Sequence, residues 1–363
     1  MKRKAFIFLV LILIPALVLS PRRAMGALSK EDEREIAVGK KVCEQVEKKW
    51  ERVADPVPVA RLQAILQKIL PEARKPFPYE VRLIREKQPN AFSLPGGFIY
   101  FTTGMLDFAK SDAELAAVMA HEMIHAEHRH GMIQSARNER LSLLALAVAV
   151  ASRGEAAAMI IANIAQVAIL NAYSRDLEKD ADLGALRILK ASGFPVSAAV
   201  TVMERLAEER LKHPYVDPGV FMDHPDLPER ILYMVKFIRD SGWPLNRKEP
   251  LHLLRVTIEP QGERLVLSLD GKAAWQGPSG EKSRSLMERT KKGLDRYFQM
   301  ELMSSEIGVG MDEKGRVLRV GQGAIVRESE LPAGMDSLDV LSENLKKALI
   351  EAQRVHPMGH YLL

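Results

Sequence analysis

A chain of 363 residues with 47% hydrophobic and 27% charged residues is long enough for two domains with proper cores and has the composition of ordinary globular protein. Its formal charge of +5 does not argue for nucleic acid: Lys2, Arg3, Lys4, Arg22 and Arg23 all fall in the first 26 residues with no acid among them, and the rest balances 47 basic against 47 acidic residues. Cys43 is the only cysteine, so no intrachain disulfide can form.

Residues 1–26 have the layout of a secretory signal peptide. A basic start is followed by an apolar run from Ala5 to Leu19, with Ala24 and Gly26 placed for a cut before Ala27. The run is shorter than the roughly 20 residues of a membrane span. The expected location is the periplasm, with retention of the segment as an anchor as the alternative.

Residues 27–245 read as one domain. Helical patterns cover EDEREIAVGKKVCEQVEKKW and VARLQAILQKIL, and YEVRLIRE alternates as a strand. Pro95-Gly96-Gly97 makes a turn, after which Phe98 to Thr102 is aromatic and β-branched and reads as a second strand. Ser111 with Glu114 three residues on opens a helix through AELAAVMAHEMIHAEHRH, and Gly131 reads as its stop. The apolar stretch from Leu141 to Leu170, broken by Arg153-Gly154-Glu155, reads as a packed helix pair; a membrane or envelope-protein contact through 141–170 is the sharper alternative. Three helical stretches follow: Asn171 to Ala191, Val196 to Lys212 and Leu227 to Arg239. After the linker-like SGWPLNRKEP, residues 250–363 read as a separate small α+β domain with no visible repeat and no identified partner. The fold class is therefore α+β, a mainly helical domain with a small sheet followed by a small α+β domain.

The chemistry concentrates in VMAHEMIHAEHRHG, which holds four of the nine histidines. His121 and His125 lie four apart on one helix face, the spacing that gives a tetrahedral Zn²⁺ two of its ligands. Glu122 between them can reach a water held by such a metal and act as general base. A histidine ten positions after His121 would mark a metzincin, but Gly131 stands there. Downstream, Glu178 is suited to be the third ligand, and Asp182, four residues on, can hold a ligand histidine by its second ring nitrogen. On an unbroken helix His128 lies a turn too far along the axis, and His130 falls on the face opposite His121 and reads as structural.

These motifs resemble the gluzincin metallopeptidases of the HtpX, Oma1 and BepA type, the M-forty-eight family. The resemblance rests on Asn90-Ala91-Phe92 with Pro95-Gly96-Gly97, on His121-Glu122 to His125 ending in Arg129-His130, on Ser174-Arg175 through Glu178 to Asp182, and on His224-Pro225 with Arg230-Ile231. It covers roughly residues 30–240 and implies a zincin-like domain. It further implies one zinc per chain on His121, His125 and Glu178, Glu122 as base, and Asp182 behind the ligands. His224 matches a histidine near the metal that either stabilises the oxyanion or occupies the metal's open position as an inhibitory switch. Asn90 with Phe98, Ile99 and Tyr100 resembles the segment that pairs with extended substrate. The implied function is zinc-dependent endoproteolysis of unfolded or misfolded envelope proteins. The alternatives are a non-proteolytic chaperone or assembly factor with a structural zinc, and a latent protease opened by a partner.

Overall fold

A computed structural model describes residues 27–151, 155–212, 227–299 and 302–355. The signal-like segment and His224 lie outside the described residues.

Helix α1 (Lys30–Lys49) begins at Ser29, whose hydroxyl accepts from Asp32 N while the Asp32 carboxylate accepts from Ser29 N. Helix α2 (Pro56–Ile69) opens on Asp55 with proline in its first turn, where a missing N–H does no harm. Strands β1 (Glu80–Ile84), β2 (Ala91–Leu94) and β3 (Phe98–Thr102) form a sheet of order β1-β3-β2, with β3 parallel to β1 and antiparallel to β2. Every residue of β2 and β3 is buried because both faces of the sheet are covered. Val81, Leu83, Ala91, Ile99 and Phe101 join the core shared with the helices that follow, while Ile84, Phe92, Leu94, Phe98 and Tyr100 pack toward α1. Gly39 fixes that contact: a Cβ there would lie 1.8 Å from the Pro95 carbonyl oxygen in the β2–β3 turn.

The sheet corrects one expectation. Phe98–Thr102 is the central strand, its backbone paired on both sides, so it offers no edge to a substrate. Phe98, Ile99 and Tyr100 are core side chains; the Tyr100 ring stacks on Phe92 and its hydroxyl donates to Glu47. Asn90 is buried as well, donating to the Ile169 carbonyl and accepting from Asn171. The edge nearer the histidine helix belongs to β2.

Helices α3 (Thr103–Phe108), α4 (Asp112–Glu127), α5 (His130–Asn138), α6 (Leu143–Ala151), α7 (Glu155–Ile169), α8 (Arg175–Ala191), α9 (Ser197–Lys212) and α10 (Leu227–Asp240) complete this part of the chain. The α6–α7 pair buries Leu146, Val150, Ile160, Ile161 and Ile164 in the core with α1 and leaves Leu143, Val148 and Met159 exposed. No described helix is long and apolar enough to cross a membrane.

Residues 254–352 bury a core of their own around Trp275. It is built from β4 (Val256–Gln261), β5 (Arg264–Leu269), β6 (Lys272–Pro278) and α11 (Glu281–Tyr297), then β7 (Ile307–Asp312), β8 (Gly315–Val320), β9 (Gly323–Arg327) and α12 (Leu338–Val355). Two antiparallel sheets, β4-β5-β6 and β7-β8-β9, each precede a helix. The two halves repeat one pattern: strand starts at 256, 264 and 272 recur at 307, 315 and 323, a constant offset of 51, which the helices that follow, starting at 281 and 338, do not keep. The sequence hides it because few residues coincide, among them Val266 with Val317, Leu267 with Leu318 and Ala273 with Ala324. The linker is tied down on both sides: Ser197 donates to Asn246 O, Arg247 pairs with Glu204, and Lys248 donates to the Phe298 carbonyl.

Candidate active site

Helix α4 starts where the sequence indicates, with the Ser111 hydroxyl accepting from Glu114 N. Its end differs from the expected stop at Gly131. The helix closes at Glu127, Arg129 takes a left-handed φ of 60°, and α5 begins at His130. A non-glycine residue there carries strain, and α1 supplies the compensation. The Arg129 guanidinium is held by Glu31, by Asp32 at 3.1 Å and by Glu35 at 2.7 Å. The break carries His130 back toward α4, so its position on an unbroken helix does not apply.

His121, Glu122 and His125 lie on α4, and α8 packs directly against it with Gly184 on Ile124. A Cβ at Gly184 would stand 2.7 Å from Ile124 Cγ1, so only glycine lets the helices approach this closely. Gly184→Ala is expected to cost about 1–3 kcal/mol by overpacking. It is also expected to weaken zinc affinity by moving Glu178, as a competition titration with a chromogenic chelator would show.

The contact brings together the three ligand candidates. His121 Nε2 and His125 Nε2 are 3.0 Å apart, and the Glu178 carboxylate oxygens lie 3.7 Å and 3.6 Å from them. A tetrahedral zinc with bonds near 2.0–2.1 Å separates its donors by about 3.3 Å, so the trio is spaced for one ion. The outer ring nitrogens support this. His121 Nδ1 is 3.0 Å from Asp182 Oδ1, and His125 Nδ1 is 3.1 Å from His130 Nδ1. With both Nδ1 protons directed outward, the inward Nε2 atoms present two lone pairs to one point, an arrangement that repels unless a cation lies between them. The donor set therefore fits zinc.

Behind the trio sits a buried ion cluster. Arg230 on α10 reaches Asp182 through Nε at 2.8 Å and Nη2 at 2.7 Å, and Glu178 through Nη1 at 2.6 Å. Tyr233, three residues on, donates to Asp182 as well. Burial opposes ionisation of Asp182, but the Arg230 charge and the His121 hydrogen bond hold its carboxyl below the usual range. Burial likewise disfavours a charged His121, yet Asp182 and Glu178 raise its pKa.

Glu122 is 1% exposed. Burial pushes its carboxyl up to about 7, with His121 opposing and Glu178 adding to the rise. Ser93 of β2 stands beside it. Tyr173 stacks on the His125 ring at 4.1 Å between centroids and closes that side of the site.

A second trio, His128, His130 and Asp180, also gathers within ligand distance. Burial lowers His130 to about 4, so its ring is neutral and holds one proton. If His125 donates to His130 Nδ1, that proton occupies Nε2, which faces Asp180 at 3.3 Å. His130 then has no lone pair for another ion, and the trio is a hydrogen-bonded support behind His125. Sequence reasoning read His130 as structural without naming its partner His125, and missed the parts played by Tyr173 and Arg230, of which only Arg230 carried a signal, lying in the Arg230-Ile231 motif three residues before Tyr233.

Two imidazoles from one helix, a carboxylate from the helix packed on it and a buried carboxylate base beside them are the parts of a metallohydrolase centre. Residues 56–236 match the peptidase family M48 model, and the chain belongs to that family. A Vibrio cholerae protein named provisionally as a beta-barrel assembly-enhancing protease is 29% identical over 65% of this chain and 48% of its own length. The mitochondrial metalloendopeptidase OMA1 of Schizosaccharomyces pombe is 31% identical over 35% of this chain and 37% of its own. The beta-barrel assembly-enhancing protease of Escherichia coli K12 is 28% identical over 42% and 32%. The chain thus spans half or less of the length of these relatives.

Proposed function

We propose that the protein is a zinc-dependent endopeptidase exported to the periplasm, where it cleaves exposed segments of unfolded or misfolded envelope proteins. The observation that carries this reading is Glu122: a structural zinc site has no use for a buried carboxylate beside its ligands. His121, His125 and Glu178 would hold the ion, with Asp182 and His130 fixing the ring orientations. When bound, zinc supplies Lewis acidity, lowering the pKa of a water to about 7 and polarising the scissile carbonyl. Glu122 takes the proton from the attacking water and returns it to the departing amine.

Substrate alignment falls to β2 in this reading. Thr102 N donates to Asn90 O, so by antiparallel alternation the even residues of β2 face β3 and the backbone of Ala91 and Ser93 faces outward. Asn171 donates to the Ala91 carbonyl, which leaves the Ser93 backbone, next to Glu122, as the place where an extended substrate adds a strand by displacing what buries Ser93 in the free protein. Main-chain pairing gives affinity with little selectivity, as an enzyme for unfolded chains needs. His224 would stabilise the oxyanion or block the ion's open position. The exposed Leu143, Val148 and Met159 support contact of α6–α7 with a membrane or envelope-protein surface.

The test is zinc content together with cleavage of casein by purified protein. Cleavage is expected to stop with 1,10-phenanthroline and to return on adding zinc. Stoichiometric zinc without cleavage of casein, in protein carrying His224→Ala as well as the parent, would refute the reading.

A further inference from the structure

We propose that β7 in the C-terminal repeat is a strand-addition site that takes an extended segment of unfolded polypeptide along its free edge. The occupant rests on the polypeptide-substrate reading above; the site rests on a comparison the protein makes within itself. Strands β4 and β7 hold corresponding places, each an edge strand paired on one side only. In both hairpins the alternation of the ladder can be fixed. Asp270 N donates to Arg255 O and Gly321 N to Glu306 O, so the pairs next to these face away from the partner strand. The outward backbone groups are therefore those of Val256, Ile258 and Pro260 in β4, and of Ile307, Val309 and Met311 in β7.

At the 51-residue offset the two edges differ where it matters. Pro260, which has no N–H to give a newcomer, corresponds to Met311. Glu259, an exposed charge on the edge strand, corresponds to Gly310, and Thr257 to Gly308. Proline and charge are how proteins prevent an edge from recruiting another strand, and β4 has both. The far edge of the first sheet is closed too: Gln276 N donates to the Asp336 carboxylate and Asp336 N to Gln276 O. β7 lacks the proline and the exposed Glu259 charge of β4, and its own acid, Asp312, is tied to Arg327 of β9.

What replaces them suits an extended guest. A Cβ on Gly308 or Gly310 would meet nothing within 4 Å, so that face of the strand is open, and among the described residues only β8 pairs with β7. Met311 is 74% exposed and Met303, just before the strand, 69%. Methionine is flexible and polarisable, suited to side chains of varied shape. The Ile307 N–H already donates to the Ser304 carbonyl, so the outward N–H and C=O pairs of Val309 and Met311 give affinity independent of sequence, while the methionines add apolar contact.

The experiment uses the zinc-loaded full chain with Glu122→Gln, so that binding is read without turnover, and reduced, carboxymethylated α-lactalbumin as the unfolded probe. Met311→Pro, which restores the residue found at the guarded edge, is expected to weaken binding about tenfold, equivalent to about 1.4 kcal/mol. In the parent, saturating probe is expected to slow amide exchange at Val309 and Met311, while Ile307, already bonded to Ser304, and Gly308 and Gly310, already bonded to β8, do not change. Unchanged affinity in a Met311→Pro protein that melts like its parent overturns the proposal. So does protection at β7 that grows with protein concentration in the absence of probe, which would make a second copy the occupant. If Met311→Pro does not fold, the alternating exchange pattern decides, and its absence overturns the site. Neither measurement needs cleavage, so failure of the protease reading and failure of this one are told apart.

Discussion

Glu122→Gln is expected to lower kcat/KM for casein by about three orders of magnitude while leaving one zinc bound per chain. A positioned general base contributes about 10²–10⁴-fold, and glutamine keeps the shape of the residue without the proton acceptor. Because Glu122 is not among the three donors, zinc content should not move, which separates this variant from a ligand replacement. The pH dependence follows from the same group. Only the ionised carboxyl accepts a proton, and burial holds it at about 7 in the metal-free chain. A cation beside it favours the ionised form and moves the value down. The acid limb of kcat/KM should therefore lie below pH 7, rising with pH, and Glu122→Gln should erase it.

Stability supplies a second readout. The folded pKa of Glu122 is raised above the ordinary carboxyl value of 4.5, so the folded chain binds more protons than the unfolded one between about 4.5 and 7, and metal-free stability falls as pH rises through that window. Glutamine carries no such penalty. At pH 8 the metal-free variant should melt higher than the parent, by a gain bounded at about 3 kcal/mol. A variant that still cleaves casein, or one that melts lower at pH 8 without metal, would remove Glu122 from the role of buried base.

The part of this site visible in the sequence was local. Four-residue spacing on α4 and α8, and the Ser111 cap, are properties of single helices, and the structure gathers His121, His125 and Glu178 around one point with Asp182 behind His121. What escaped depended on partners far along the chain. The helix closes at Glu127 rather than running to Gly131, with Arg129 in a left-handed turn whose guanidinium is held by three carboxylates of α1, more than ninety residues earlier. His130 reaches His125 only because of that stop. Strand order escaped for the same reason: Phe98–Thr102 alternates and packs like any strand, and nothing within it says that β1 and β2 flank it. The repeat at 256 and 307 is kept by burial pattern and turn placement, which tolerate almost complete replacement of side chains.

Arg230 is where the ion and the fold depend on each other most. Its guanidinium, 4% exposed, answers two buried carboxylates, Asp182 with two hydrogen bonds and Glu178 with one contact at 2.6 Å. Removing one partner from a buried ionic cluster costs about 3–5 kcal/mol, because the remaining charges lose compensation while staying out of water. Arg230→Ala should therefore lower metal-free stability by that amount, read from denaturant unfolding. Lysine should restore only part of it, since a single ammonium cannot span both carboxylates as the planar fork does. With zinc bound, Glu178 has a second cation to answer it, so the cost of the same substitution should shrink. Linkage then requires that Arg230→Ala steepen the gain in stability on zinc binding. Equal losses with and without zinc, or full rescue by lysine, would show that Arg230 serves the packing of α10 on α8 and does not balance the charge of the site.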